Sequence, residues 1–311
     1  MKSWVRLTLF WFIPKLIVRN PERQSSAGPT LLVANHPDSF LDALLIAVAY
    51  KRPLYFLARG DVFNRPWHRA LLRLLNMYPV YRIREGRQHV HLNRTSFQFS
   101  NEVLQRGGTL LIFIEGVCLN THELQPFKKG AARIALEARH FAGFQIIPVG
   151  VAYSDFCRIG KAATVCFGKT IHPAKPFVHQ HEQANIFSFN EMIFPQLKEL
   201  IQPPEEKIIA NPSRKLRAAV TIARLLNYPL YYPLSRKIAR LTKGTVFYDS
   251  ILFAALLFTY PLYCLLVASA LSLFSPGSEI TFLLTLLFPT SALYALNARI
   301  QLNINAHAVS S

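Results

Sequence analysis

Acidic residues are scarce in this chain of 311 residues: 17 Asp and Glu stand against 35 Lys and Arg, a formal net charge of +18. Such an excess implies an anionic partner, whether nucleic acid, an anionic lipid surface or a phosphorylated substrate. Cysteine is rarer still. Cys118, Cys157, Cys166 and Cys264 form no CxxC pair, so neither a disulfide framework nor a zinc-finger spacing is indicated, and a reducing compartment fits. The chain also lacks a GxGxxG turn, a P-loop and a GxSxG elbow, which argues against dinucleotide, nucleotide and serine-hydrolase chemistry. With no RNP-like strand, zinc-finger spacing or basic-region heptad, nucleic acid ranks below lipid, and no nucleic-acid partner is expected.

Apolar residues, by contrast, are abundant. They make up 51% of the chain, and the mean hydropathy is +0.21. Residues 251–274 carry no charge and are long enough to cross a bilayer, which takes ~20 residues. Residues 280–296 are shorter and contain Pro289, fitting either a thinned span or a re-entrant helix. The joining loop, Ser275-Pro276-Gly277-Ser278-Glu279, lacks Lys and Arg, whereas basic residues precede the first run and Arg299 follows the second. The positive-inside rule then puts both ends of this hairpin, and the rest of the chain, on the cytoplasmic side of the membrane.

The expected organisation has four parts: an interfacial amphipathic helix over 1–22, an α/β domain over 23–210, a basic interfacial segment over 211–248, and a membrane hairpin with its tail over 249–311. The first part alternates Lys2, Trp4, Arg6, Phe10, Trp11 and Lys15. An ordinary surface helix packed on the domain is the alternative, and no secretory cleavage site follows. In the third part Pro229 and Pro233 are expected to prevent one continuous helix. Its Arg, Lys and Tyr residues suit anionic headgroups, or else a solvated helix pair.

Within the second part, short apolar runs at 30–34, 54–58, 109–114, 145–151 and 164–167 predict strands covered on both faces. Helical patterns at 39–49, 66–75, 92–105 and 130–141 alternate with them, and Gly107-Gly108 marks a helix stop. The predicted fold is α/β, a mixed, mostly parallel sheet flanked by helices.

Asn35-His36-Pro37-Asp38-Ser39-Phe40-Leu41-Asp42 stands where the first of these runs turns into a helix. A histidine at such a turn can take a proton from a hydroxyl if a carboxylate fixes its tautomer, and Asp42 is placed to do so. Alternatively His36 bonds backbone in a loop, Asp38 caps the helix and Asp42 answers its dipole. Three further stations follow: Tyr78-Pro79-Val80-Tyr81-Arg82, Leu111-Ile112-Phe113-Ile114-Glu115-Gly116 and Ile146-Ile147-Pro148-Val149-Gly150.

Taken together over roughly residues 30–150, these stations resemble the glycerolipid acyltransferases, which include the lysophosphatidic acid and glycerol-3-phosphate acyltransferases. Five residues separate His36 from Asp42 where the commoner pattern has four, and Pro37 follows the histidine, similar to a glycerol-3-phosphate-acyltransferase-like branch. The resemblance implies that His36 and Asp42 are catalytic. It implies that Arg82 binds the acceptor's phosphate, with Glu115, Gly116, Lys128 and Lys129 shaping the acceptor site and Arg59 adding to a basic rim. The implied donor is acyl-CoA or acyl carrier protein, and the implied acceptor a phosphorylated glycerol at an anionic lipid bilayer. No resident cofactor and no metal is expected. The family's basic residue after the Glu-Gly pair is missing, since Val117, Cys118 and Leu119 stand there, so Lys128, Lys129 or Arg133 would compensate. That departure leaves two rivals: an acyltransferase for a phosphate-free lyso-lipid, and a non-catalytic membrane lipid-binding protein. Arg84 beside Glu85 reads equally as a phosphate helper or a solvated pair, and Cys118 reads as a small hydrophobe. His179 and His181 lack the further ligands a zinc site would need.

Overall fold

A computed structural model describes residues 2–25, 27–80, 93–205 and 214–274. Its centre is a seven-stranded sheet: β1 (Lys15–Arg19), β2 (Thr30–Ala34), β3 (Tyr55–Arg59), β4 (Met77–Val80), β5 (Thr109–Phe113), β6 (Gln145–Tyr153) and β7 (Ala162–Phe167), in the order β1-β7-β6-β2-β5-β3-β4. The five strands from β6 to β4 run parallel. β7 returns antiparallel to β6, and β1 lies parallel to β7. The sheet is therefore mixed and mostly parallel, as the alternation of runs predicts.

Every residue of β2 is buried, and its side chains divide by the pleat: Leu32 and Ala34 join one core, Leu31 and Val33 the other. Helices α1 (Lys2–Phe12) and α2 (Phe40–Ala49) cover the first face, with α3 (Pro66–Leu74) at its margin. α4 (Asn93–Gln105), α5 (Lys129–Ala138) and α6 (Glu182–Leu200) cover the second. Gly150 on β6 admits the end of α6, because a Cβ there would lie 2.5 Å from the Leu200 carbonyl oxygen.

Three features depart from the sequence expectation. The N-terminal helix stops at Phe12, and β1 follows Pro14 into the sheet, so residues 15–19 are an edge strand and not part of an interfacial helix. α1 itself packs inward: Leu9, Phe12 and Ile13 are buried, and Phe12 meets Phe253 edge to face at 5.6 Å. Finally, α7 (Arg214–Leu241) is one helix of 28 residues with Pro229 and Pro233 inside it. α8 (Tyr248–Phe274) lies against it. Near Pro229, Tyr263 Oη donates to the Leu226 carbonyl at 2.8 Å and Tyr260 Oη reaches Asn227 Oδ1 at 3.1 Å.

Among the described residues one stretch, Tyr248–Ala270 in α8, is long and apolar enough to cross a membrane. The second arm of the expected hairpin, residues 280–296, lies outside the described residues, as do Arg82, Arg84 and Arg299.

Candidate active site

In a parallel sheet the loops after the strands' carboxyl ends gather at one edge, where ligands bind. His36 follows β2 there, Arg59 ends β3, Glu115 follows β5, and Tyr153 ends β6. Asn35 fixes the first of these loops: its side-chain amide donates to the Val151 carbonyl at 2.9 Å and its Oδ1 accepts the Val151 N–H at 2.8 Å. Pro37 keeps His36 out of helical geometry. Ser39 takes a positive φ of 52° just before α2, so the helix begins at Phe40 and Asp42 falls in its first turn.

The result is a dyad. His36 Nδ1 lies 2.8 Å from Asp42 Oδ2, and Asp42 is fully buried. A carboxylate there makes Nδ1 the protonated nitrogen, which leaves the lone pair on Nε2. Asp42 is clamped from two more directions: the Asp38 N–H donates to Oδ2 at 2.8 Å and Tyr153 Oη to Oδ1 at 2.7 Å. The imidazole stacks on Phe113 with ring centroids 3.8 Å apart and planes 12° from parallel. Ring position and tautomer are thus both set, while 18% of the histidine side chain stays exposed. Such a group can accept a proton from a hydroxyl at Nε2 and return it. The capping alternative does not hold for Asp38, whose carboxylate pairs with Lys161 rather than with a helix N–H.

Glu115 ties this turn to the loop after β5. Its carboxylate accepts the His36 N–H and the Gln125 N–H, each at 3.3 Å. Burial pushes its pKa up to about 7, against the pull of those two donors and with a small push from Asp42. Gly116 then turns with φ 59°, and a Cβ there would lie 2.9 Å from Lys128 Cγ, so the stem of Lys128 runs beside the turn. Lys129 leaves the site: its Nζ donates to Gln183 Oε1 at 3.0 Å, and Arg133 beside it pairs with Glu182 at 2.9 Å. Arg59 sits on the same edge with its guanidinium 6.0 Å from the Phe247 ring centre.

Cys118 lies next to the dyad, its Sγ accepting the Ser39 N–H at 2.9 Å. Burial pushes the thiol's pKa up, with Asp42 adding to it, so it is a packed thiol and not a thiolate nucleophile. His36, Asp42 and Cys118 have ligand atoms within 4.8 Å of one another. Nδ1, both Asp42 oxygens and Sγ are already engaged in hydrogen bonds, so a cation would have to dismantle the dyad to bind there. His179 and His181 are apart from the site, at the start of α6: the His179 N–H donates to Asn185 Oδ1 and the His179 carbonyl accepts from the Asn185 side-chain amide, each at 2.9 Å.

Sequence reasoning missed Tyr153, His122 and Lys161. His122 Nε2 accepts the Tyr153 N–H at 3.2 Å, and burial lowers its pKa, which suits a neutral acceptor. The available signal for Lys161 was a lone cation inside the apolar stretch Ile159-Gly160-Lys161-Ala162-Ala163.

Residues 15–152, from β1 almost to the end of β6, match the model of the Acyltransferase family. A probable 1-acyl-sn-glycerol-3-phosphate acyltransferase of Mycoplasma pneumoniae is 25% identical over 144 residues, which is 44% of this chain and 51% of that protein. The chloroplastic 1-acyl-sn-glycerol-3-phosphate acyltransferase BAT2 of Brassica napus is 27% identical over 48% of this chain and 40% of its own length. The chain thus spans about half the length of the curated relatives it matches. The crystal structure of the 1-acyl-sn-glycerophosphate (LPA) acyltransferase PlsC from Thermotoga maritima aligns with 18% identity and a TM-score of 0.46, over 64% of this chain and 78% of that one. The family match falls on the α/β domain and includes the His36–Asp42 dyad.

Proposed function

We propose that this chain is an O-acyltransferase of the glycerolipid acyltransferase family, moving a fatty acyl group from a thioester to a hydroxyl of 1-acylglycerol 3-phosphate or glycerol 3-phosphate at a membrane. The observation that carries the reading is the 2.8 Å contact between His36 Nδ1 and a fully buried Asp42 at the carboxyl edge of the sheet, inside the family match. The named relatives favour 1-acylglycerol 3-phosphate as acceptor.

In this mechanism Nε2 of His36 takes the proton of the acceptor hydroxyl as its oxygen attacks the acyl carbonyl. The tetrahedral intermediate collapses, the carbon–sulfur bond breaks, and the histidine returns the proton to the departing thiolate. The imidazolium formed on the way is stabilised by Asp42. Arg82 and Lys128 supply positive charge for the acceptor's phosphate, Arg82 being the better fork for a dianion. The extra residue between His36 and Asp42 favours the five-residue branch, and Ser39, with its positive φ, lets the longer turn close before the helix.

α8 would enter the bilayer, with the α/β domain on the cytoplasmic side, the basic α7 against anionic headgroups and 280–296 completing a hairpin. The test is thiol release by the purified full chain in detergent, with acyl-CoA or acyl carrier protein as donor and glycerol 3-phosphate, 1-acylglycerol 3-phosphate and a phosphate-free lyso-lipid as acceptors. Acceptor-dependent release with a phosphorylated glycerol is expected. Release only with the phosphate-free acceptor moves the reading to that substrate class, and no release with any acceptor makes the protein a lipid binder.

A further inference from the structure

The first turn of the membrane helix reaches the catalytic turn through a buried ionic link. Lys161, at the foot of β7, is fully buried and pairs with Asp38 and with Asp249, the latter at 2.6 Å. Asp38 lies between His36 and Asp42, and Asp249 is in the first turn of α8. The Lys161 ammonium also sits 4.4 Å from the centre of the Tyr153 ring. It thus touches two residues that hold Asp42: Asp38, whose N–H bonds Oδ2, and Tyr153, whose hydroxyl bonds Oδ1. Two bonds from α8 and its loop partner complete the connection. Asp249 Oδ2 accepts the Cys157 N–H at 2.8 Å, and Ser250 Oγ accepts the N–H of Phe40, the first residue of α2, at 3.1 Å.

We infer that Lys161, Asp249 and Ser250 are positioning residues for acyl transfer, and that α8 completes the active site as well as anchoring it. The inference rests on the acyltransferase reading for its kinetic part alone. Burying one cation with two carboxylates is expensive, and apolar residues of the same volume would serve stability as well or better. Among the described residues one oxygen of each aspartate has no partner, so the unit is not optimised as a staple. What it does achieve is a fixed place for the two groups that clamp Asp42, and hence for the His36 ring. Burial raises the pKa of Asp38, the attraction of Lys161 opposing it, so Asp38 can stay neutral when the other two charges are removed.

The experiment replaces both ends of the link with apolar residues in the full chain, as Lys161→Met/Asp249→Leu, and compares kinetics, unfolding and the His36 Nδ1 proton signal in histidine-labelled protein. Removing both charges together should keep the thermal midpoint within about 4 °C of the parent. The kcat is expected to fall by about tenfold or more with acceptor KM within about threefold, and the downfield Nδ1 proton, which reports the bond to Asp42, to shift or broaden away. A purely structural staple predicts the opposite: a folded double variant with parental kcat and an unmoved Nδ1 signal overturns the inference. Should that variant not fold, Ser250→Ala decides, since it deletes only the bond to Phe40. A loss in kcat of about threefold with a shifted Nδ1 signal is expected, and parental values of both overturn the link. If the parent itself transfers no acyl group, the acyltransferase reading fails, while the Nδ1 signal still reports whether the link positions His36.

Discussion

The loops that follow β2 and β5 are neighbours on one edge of the sheet and are built on opposite plans. The first is short: Asn35 and Asp38 in it, and Asp42 just beyond it in the first turn of α2, are buried and bonded to Val151 and Tyr153 on β6 and to Lys161 just before β7. The second runs from Ile114 to Lys128, exposes Leu119, Glu123 and Lys128, and is tied to its neighbours at separate points, Glu115, Cys118, Asn120 and His122. The difference separates two jobs. A group that exchanges a proton in the transition state needs a fixed place and tautomer, whereas a surface that receives a charged, bilayer-borne headgroup needs access and positive charge.

Substitutions should therefore sort by kinetic constant. His36→Ala removes the proton acceptor and should cut kcat by ~10²–10⁴ while leaving unfolding and membrane association unchanged. A variant that retains more than about one-hundredth of the parental rate would break the assignment of His36 as base. Arg82→Ala should instead raise the acceptor KM by about 10–100-fold at little cost in kcat, the size of one lost charge-assisted pair. Lys128→Ala should raise it by about threefold, and Lys129→Ala hardly at all, because Lys129 is bonded to Gln183 on α6. A loss of kcat from Arg82→Ala, with KM unchanged, would erase the division between a fixed proton-transfer group and a positively charged acceptor surface.

Tyr153→Phe sharpens the comparison from the fixed side. It takes away the hydroxyl that donates to Asp42 Oδ1 and leaves that oxygen buried, so about 1–3 kcal/mol of stability should go with it. The kcat should drop by about threefold to tenfold, since Oδ2 still orients the histidine. An unchanged kcat in a destabilised protein would show that the clamp serves only the fold.

Much of this architecture is legible in the sequence, and the exceptions share a cause. β2, β3, β5, β6 and β7 fall on the apolar runs, and the dyad can be read from eight consecutive residues, because each depends on neighbours in the chain. β1 was hidden because Lys15 and Arg19 bracket it and an edge strand needs only half a buried face. β4 carries a proline, tolerated at the opposite edge of the sheet. α7 runs on through its two prolines, and the α8 side chains that bond it lie 33 and 37 residues away, beyond any local pattern. Tyr153 and Lys161 bond partners separated from them by 111, 123 and 88 residues, a distance over which no local pattern carries information. What the sequence did display was their oddity: a lysine within an apolar stretch and an aspartate at the head of an uncharged run of membrane length.

Glu115 is the residue that belongs to both loops, and it gives the finest test of their difference. Its carboxylate accepts one amide from each, and burial raises its pKa from 4.5 to about 7. An acid whose pKa rises on folding contributes stability that is fully present below its unfolded value and is lost as pH climbs through the folded one. Glu115 should therefore make the protein progressively less stable between pH 4.5 and about 7, with no further change above that window. Glu115→Gln does not titrate, so the difference in unfolding midpoint, parent minus variant, should fall across the window and then level. The ionised carboxylate is the form that can accept both amides, so the bond between the loops should strengthen over the same range even as net stability declines. Amide exchange at His36 and Gln125, slowing together in the parent as pH rises once the intrinsic pH dependence is removed, would show the two plans joined at this residue. Parallel stability curves for parent and variant would place the titration elsewhere and leave the loops independent.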